Sequence, residues 1–366
     1  MKIHSALMLY CGPAFAAFAL SACSMGPNAG PYNSSSGPPG STQSAHRASQ
    51  ALPPVCNTAK PATCLPSQVV HVPNFSGATI TFYPLTANGN FTPSQSIDTT
   101  IAGMQHPDNI YEDPAGKIYA SQASPSDERN RSPVVANEIA IFTPSGGGFT
   151  AQTIIGESTG LSGPIGVAVD SSGRVYVANC GNGTITVYAA GATGNASPLS
   201  TRGDFPCITD LEFDASQNLY VTLPGDDTVE VYGPGPNGAF LRLIHGTDTQ
   251  LNSPRPIAFD SAGNMYIGNN NDGKILVYAP GASGDAIPIR VITGGNTGLG
   301  NVTGLSFDAS GRLYATVCPD CSGSGGGPAE QYVVFAPGAN GNATPLQVVT
   351  GSNTGLNGPT DIFVGK

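Results

Sequence analysis

Five stretches of about 46 residues repeat one pattern along this chain, and a sixth copy is divided between the two ends of the repeat region. Residues 163–198 read GPIGVAVDSSGRVYVANCGNGTITVYAAGATGNASP, and residues 253–288 read SPRPIAFDSAGNMYIGNNNDGKILVYAPGASGDAIP. Each copy holds four short apolar runs. The first ends at Asp113, Asp170, Asp214, Asp260 or Asp308, and a D-x-x-G type turn follows. The second ends around Tyr119, Tyr176, Tyr220, Tyr266 or Tyr314, and the third at Phe142, Tyr188, Tyr232, Tyr278 or Phe335. A short fourth run ends at Gly156, Gly203, Gly246, Gly294 or Gly351. Alternating Val, Ile and Tyr between Gly, Asp and Ser turns reads as strands. Four strands per repeat of this period make one blade of a β-propeller, an all-β architecture.

The ends supply one further blade. Residues 69–90 align with second and third strands, with His71 in the Tyr register, and Ile101-Ala102-Gly103 is expected to close the fourth. The missing first strand lies in GPTDIFV, residues 358–364. A blade built from both ends leaves no open sheet edge in the ring. The expectation is one six-bladed domain over residues 68–366, in which the recurring Asp, Tyr and Gly serve the blades themselves.

The D-x-x-G-[NR]-[LVM]-Y-[VI] element resembles the NHL-repeat propellers and their gluconolactonase-like and streptogramin-lyase-like relatives, over nearly all of residues 68–366. Trp is absent, so a WD-type signature is not present.

Ahead of the propeller, Lys2 precedes an apolar run over residues 6–20 and then Leu-Ser-Ala-Cys23. A run this short, ending in small residues, reads as a signal peptide over residues 1–22 and not as a membrane span. The ending resembles a bacterial lipobox, which implies acylation of Cys23. Residues 23–67 are rich in Gly, Pro, Ser and Asn and form a flexible tether. The layout is that of an exported protein, lipid-anchored in the cell envelope and contacting membrane through that anchor only. Ser24, in place of the Asp that retains lipoproteins at the inner membrane, favours the outer membrane.

Fourteen basic against 24 acidic residues give a net charge of −10, without a basic run. Nucleic acid is therefore excluded as a partner. Eight cysteines fall to six once Cys11 and Cys23 are set aside. An even number in an exported chain suggests disulfides. Fifteen pairings are compatible with six cysteines. The repeat register favours Cys56–Cys64, Cys180–Cys207 and Cys318–Cys321. A single C-x-x-C at Cys318–Cys321 carries little as a redox or zinc motif.

The second-to-third-strand loops and the entries to the first strands share one face, here termed the top. Two insertions lie there, residues 121–137 and 318–331. Aligned first strands place Asn109, Asp210 and Asp361 at one position around the channel mouth, with Asp108 and Arg255 one residue earlier. Asn74, Asn179 and Asn269 end second strands on the same face. Carboxylates with amide oxygens around a concavity suit Ca²⁺ or Mg²⁺, so Asp108, Asp210 and Asp361 form a candidate metal set. The competing role is loop capping and backbone bonding. Gluconolactonase-like relatives imply a metal held by Glu, Asn and Asp, but no Glu in an early E-G-P-like element is present. Streptogramin-lyase-like relatives imply His and Glu. His71 and His106 are expected near the top, and His106 before Pro107-Asp108 is the one general-base candidate. No G-x-S-x-G, H-E-x-x-H or P-loop element occurs.

The leading expectation is a monomeric, non-catalytic binding propeller whose top face takes a protein, peptide or glycan. The alternative is a divalent-metal-dependent hydrolase or lyase.

Overall fold

The recurring Asp makes each first turn. In the computed structural model, which describes residues 68–122, 137–318 and 330–366, Asp170 Oδ1 accepts the backbone N–H of Ser172 and Arg174. Its Oδ2 accepts Arg174 Nε and the Tyr176 hydroxyl, all at 2.7–3.3 Å. Asp214, Asp260 and Asp308 repeat this with Tyr220, Tyr266 and Tyr314. Asp113 keeps the two backbone bonds. One carboxylate thus ties a turn to the Tyr of the next strand, which is why Asp and Tyr recur six residues apart.

The strands form six four-stranded antiparallel sheets. Blade 1 runs from Ile110–Glu112 to Gly148–Ile155, and blade 2 from Pro164–Val169 to Ser200–Arg202. Blade 3 runs from Asp210–Phe213 to Phe240–Ile244, and blade 4 from Pro254–Phe259 to Arg290–Ile292. Blade 5 runs from Val302–Phe307 to Gln347–Thr350. Blade 6 joins Phe363–Gly365 to Val69–Asn74, Thr79–Pro84 and Gln95–Asp98. Its fourth strand is Gln95–Asp98, not Ile101–Gly103 as the sequence suggested. Asp98 stands where other blades have Gly, and its side chain caps the 3₁₀ turn Thr99–Ala102, which Gly103 ends at φ 89°.

The apolar core lies between blades, not within them. Six buried clusters each draw on two adjacent blades, so the ring is closed all round. Tyr of one blade meets Phe of the next edge-on in Tyr176–Phe213, Tyr220–Phe259 and Tyr266–Phe307, at 4.8–5.0 Å between centroids. The Gly-rich loops before the fourth strands also bridge blades. Asn195 Oδ1 accepts the Ser158 N–H, and Asp285, Asn342 and Asn90 do the same to Asp248, Asn296 and Asn353. Gly156, Gly246, Gly294 and Gly351 have φ of 111–128°, and a Cβ on any of them would strike those side chains.

The Cys180–Cys207 disulfide ties blade 2 to blade 3 across 27 residues. Its replacement by two serines is expected to cost about 3 kcal/mol, from restored freedom in the unfolded loop. Urea denaturation of the Cys180→Ser/Cys207→Ser variant measures this. Cys56, Cys64 and Cys321, and with them the other two expected pairings, lie outside the described residues. Cys318 is buried and disulfide-bonded.

Candidate functional site

The first strands enter the top face around the axis, and their leading residues, among them Asp108, Asn109, Asp210 and Arg255, line a narrow funnel of about 20 Å³. Three side chains at this level each stitch one blade to the next, at three of the six seams. Asp361 Oδ2 accepts the Ile110 N–H, Asn109 Oδ1 the Val167 N–H and Asp210 Oδ2 the Ile257 N–H, each at 2.9 Å. Asp210 Oδ1 further accepts from the Leu211 N–H and from Asn109 Nδ2. A side-chain acceptor at this position replaces the sheet bond that radially arranged strands cannot make to one another.

These acids are buried. Burial, reinforced by repulsion from Asp108 in both cases and from Asp210 in that of Asp361, holds both carboxyls above the usual carboxylate range. Burial and the neighbouring Asp210 push Glu212, lower in the channel, up to about 8. Burial raises Asp108 to about 6 against the opposing pull of Arg255.

The expected Ca²⁺ or Mg²⁺ set of Asp108, Asp210 and Asp361 is not assembled. No group of three or more His, Cys, Asp or Glu placed to hold a metal ion occurs among the described residues. Both Asp210 oxygens and one of Asp361 already face N–H donors, and their raised pKa values make protons competitors for the rest. Asn74, Asn179 and Asn269 do not complete a site either. All three are fully buried, and each Oδ1 accepts the N–H of the loop entering the adjacent first strand, from Asn357, Ser162 and Asn252. Their amide N–H groups donate to backbone carbonyls or a Thr hydroxyl. They are loop anchors.

His106 stacks on Phe75, with centroids 4.8 Å apart, and its Nδ1 lies 2.9 Å from the Phe75 carbonyl oxygen. It does not line the funnel. His71, expected near the top, lies instead beside the bottom turn Pro114–Gly116. Strand periodicity hides this, because the Tyr register faces a seam between blades.

Two of the expected mouth residues remain uncommitted. Asp108 of blade 1 and Arg255 of blade 4, on opposite sides of the ring, have no side-chain hydrogen bond or close ion pair among the described residues. Their charges nevertheless act on one another. The hydroxyls around them are occupied: Thr360 donates to the Asp108 carbonyl, and Thr209 and Thr303 sit against Pro254 and Pro359 carbonyls. Glu112 escaped sequence reasoning about sites, and His71 was considered there only as a residue near the top, although the repeat register marks both as departures.

The fold and this mouth define a six-bladed β-propeller, and comparison with known proteins agrees. The NHL repeat family model matches residues 161–188, within blade 2 and its entry. No curated protein matches the sequence. A Bacteroides caccae protein of unknown function superposes with a TM-score of 0.59 at 14% identity, over 82% of this chain and 99% of that one. The periplasmic gluconolactonase of Pseudomonas aeruginosa gives 0.52 at 14%, over 82% and 99%. A streptogramin B lyase gives 0.51 at 13%, over 82% and 88%. Identities this low establish a shared fold and no shared chemistry.

Proposed function

We propose that this chain is an exported, lipid-anchored envelope protein whose propeller binds a protein, peptide or glycan partner through its top face without catalysing a reaction. One observation carries the reading. Of the polar side chains expected at the mouth, those with site-like chemistry hold the scaffold together, and the pair left free, Asp108 and Arg255, is suited to recognition. Opposite charges set across a rigid rim fix the orientation of a polar partner more than they add affinity. In sequence the two insertions fall between the strand ends Gln122 and Glu138 and between Val317 and Gln331. The Cys180–Cys207 bond fits an oxidising compartment.

The hydrolase or lyase alternative has its support in the likeness to the gluconolactonase and the lyase, which is a likeness of fold. Neither the metal set nor a placed base accompanies it.

Affinity capture from envelope extracts, with glycans and proteins both identified by mass spectrometry, tests the binding reading. A partner held by the full chain is expected to be lost, by about ten-fold or more, in Arg255→Glu and in a chain lacking residues 123–136. That deletion spares Ser121, Gln122 and Asn137, which bond within the blades or to the loop entering blade 2. Equal capture by all three chains overturns the proposal.

A further inference from the structure

Seven large apolar side chains are exposed among the described residues, and six of them fall in or beside one register. Third and fourth strands pair through Val187–Ser200, Val231–Arg242, Val277–Arg290 and Val334–Gln347 in blades 2 to 5. The residue just before each fourth-strand partner is Leu199, Leu241, Ile289 or Leu346, and these are 47–57% exposed. Phe240 and Ile287 stand beside two of them, at 56% and 68%. The same position holds Ala151 in blade 1 and Ser94 in blade 6. The apolar register therefore covers four consecutive blades and stops at the two that close the ring.

Third strands run from the top to the bottom, so fourth strands begin at the bottom, the face that carries the Asp turns. The six side chains thus make an arc on the bottom outer rim. A recurring residue that serves its own blade is buried, as Asp170 and Tyr176 are. These recur and face water. Apolar side chains scattered singly over a surface need no explanation, whereas a series held in one register marks a contact surface.

Two further observations say what covers it. Gln68, the first described residue, enters blade 6 from the bottom, where its side chain accepts the Ala309 N–H of the blade 5 turn. The chain that leads back to Cys23 therefore leaves from this face. Charge is divided in the same sense. Bottom cations are matched by turn acids, Arg174 with Asp170, Arg290 with Asp260 and Arg312 with Asp308. The loops and turns of the top expose Asp98, Glu157, Asp204, Asp226, Asp227 and Asp248. None of these six is in an ion pair among the described residues. A near-neutral face with an apolar rim suits a phospholipid surface, and the opposite orientation would press free carboxylates against anionic headgroups.

We propose that the bottom rim of blades 2 to 5 docks on the phospholipid surface of the membrane that holds the anchor, its Leu, Ile and Phe side chains entering the boundary between headgroups and acyl tails. The proposal rests on the anchored reading of Cys23. Blades 6 and 1 stay clear of the surface, so the propeller is tilted, and the Asp108–Arg255 mouth points away from the membrane toward its partner. An interfacial contact through a few side chains is reversible by itself, and an anchor on the same chain keeps it formed by raising its effective concentration.

The test is co-sedimentation of residues 24–366, which keep the whole ring but lack the acylated cysteine, with vesicles of phosphatidylethanolamine and a minor share of phosphatidylglycerol. Saturable binding at about millimolar lipid is expected, and it should persist in about 0.5 M salt because apolar insertion carries it. Leu199→Gln/Leu241→Gln/Ile289→Gln/Leu346→Gln changes exposed side chains only and is expected to weaken binding about ten-fold or more at an unchanged melting temperature. Ile101→Gln, at the exposed apolar residue of the top turn Thr99–Ala102, should bind as the parent does. The chain has no Trp, so Phe240→Trp supplies a single reporter whose emission is expected to shift to the blue on vesicles. No saturable binding by the parent chain, loss of binding in high salt, or equal binding by the fourfold variant overturns the proposal. So does self-association through the same four residues without vesicle binding, which would assign the rim to a second copy. Mass spectrometry of Cys23 in the exported full chain reads acylation separately, so failure of the anchor and failure of the rim are told apart.

Discussion

An alanine at position 304 is expected to prevent the ring from closing properly. Gly304 is the third residue of the innermost strand of blade 5, Val302–Phe307, and lies against the segment leading into the first strand of blade 6. A Cβ there would sit 2.5 Å from the Ile362 nitrogen and 2.6 Å from the Asp361 Cα and carbonyl carbon. All three are backbone atoms, so no rotamer change relieves the clash. The same segment carries the Asp361 carboxylate that bonds Ile110 of blade 1, and displacing it loosens two seams together. Overpacking a tight interior costs about 1–3 kcal/mol, and the rigid neighbours here place Gly304→Ala at or above the top of that range. Gly166, the equivalent residue of blade 2, has 3.1 Å to the Asp210 Cα. Gly166→Ala should therefore cost about 1 kcal/mol. Urea denaturation of the two variants side by side measures the difference, and a cheaper substitution at 304 than at 166 would contradict the seam geometry.

The second large effect is on pH. Burial raises Asp108 to about 6, Glu112 and Glu138 to about 7 and Glu212 to about 8, with Asp210 and Asp361 also raised. Each carboxyl binds its proton more tightly in the folded chain than in the unfolded one. Stability is therefore highest while these groups are protonated and falls as pH rises from about 4 toward 8. His71 opposes this at the acid end. Its pKa is lowered to about 3 by burial, so its contribution is lost as pH falls below the ordinary histidine value of about 6.5. Asp308 is held low chiefly by hydrogen bonds from Ser310 and Arg312, which outweigh its burial, and acts in the same direction as His71. The melting temperature should peak near pH 4, where the six raised carboxyls are protonated in both states, and drop by several degrees by pH 8, with each pKa unit worth about 1.4 kcal/mol. Glu212→Gln, which keeps an oxygen for the Phe213 N–H, is expected to raise the melting temperature by a few degrees at pH 8 and to change it little at pH 5. A parallel shift at both values would mean that Glu212 is charged at neither or both.

The fold was legible because a repeated blade writes each requirement five times. Asp170 and Tyr176 form one bonded unit in every full blade but the first, so their spacing in sequence reports their contact in space. The split closure could be read from the missing first strand, but the fourth strand of blade 6 was misplaced. Asp98 does there by side-chain capping what Gly does elsewhere, and Gly103 mimicked a strand end. The mouth was harder. Register correctly brought Asn109, Asp210 and Asp361 to one level, yet a pattern cannot show whether a carboxylate oxygen faces a cavity or a neighbouring blade's N–H. Asn179 misled in the same way, since a loop anchor and a metal ligand need the same amide. His71 and Glu112 were visible only as departures from Tyr and Phe. Their meaning depends on facing each other across a seam between residues 41 positions apart.

The acids around the axis hold blades together, and no bound metal is expected among them. Metal content by mass spectrometry on the purified propeller, joined to calorimetric titration of Ca²⁺ and Mg²⁺ into chelated protein, tests it most directly. No stoichiometric ion and no saturable heat up to about 1 mM metal are expected, with Asp210→Asn and Asp361→Asn lowering stability only. One ion per chain, lost in those two variants, would contradict it and would move the reading to a metal-dependent hydrolase or lyase.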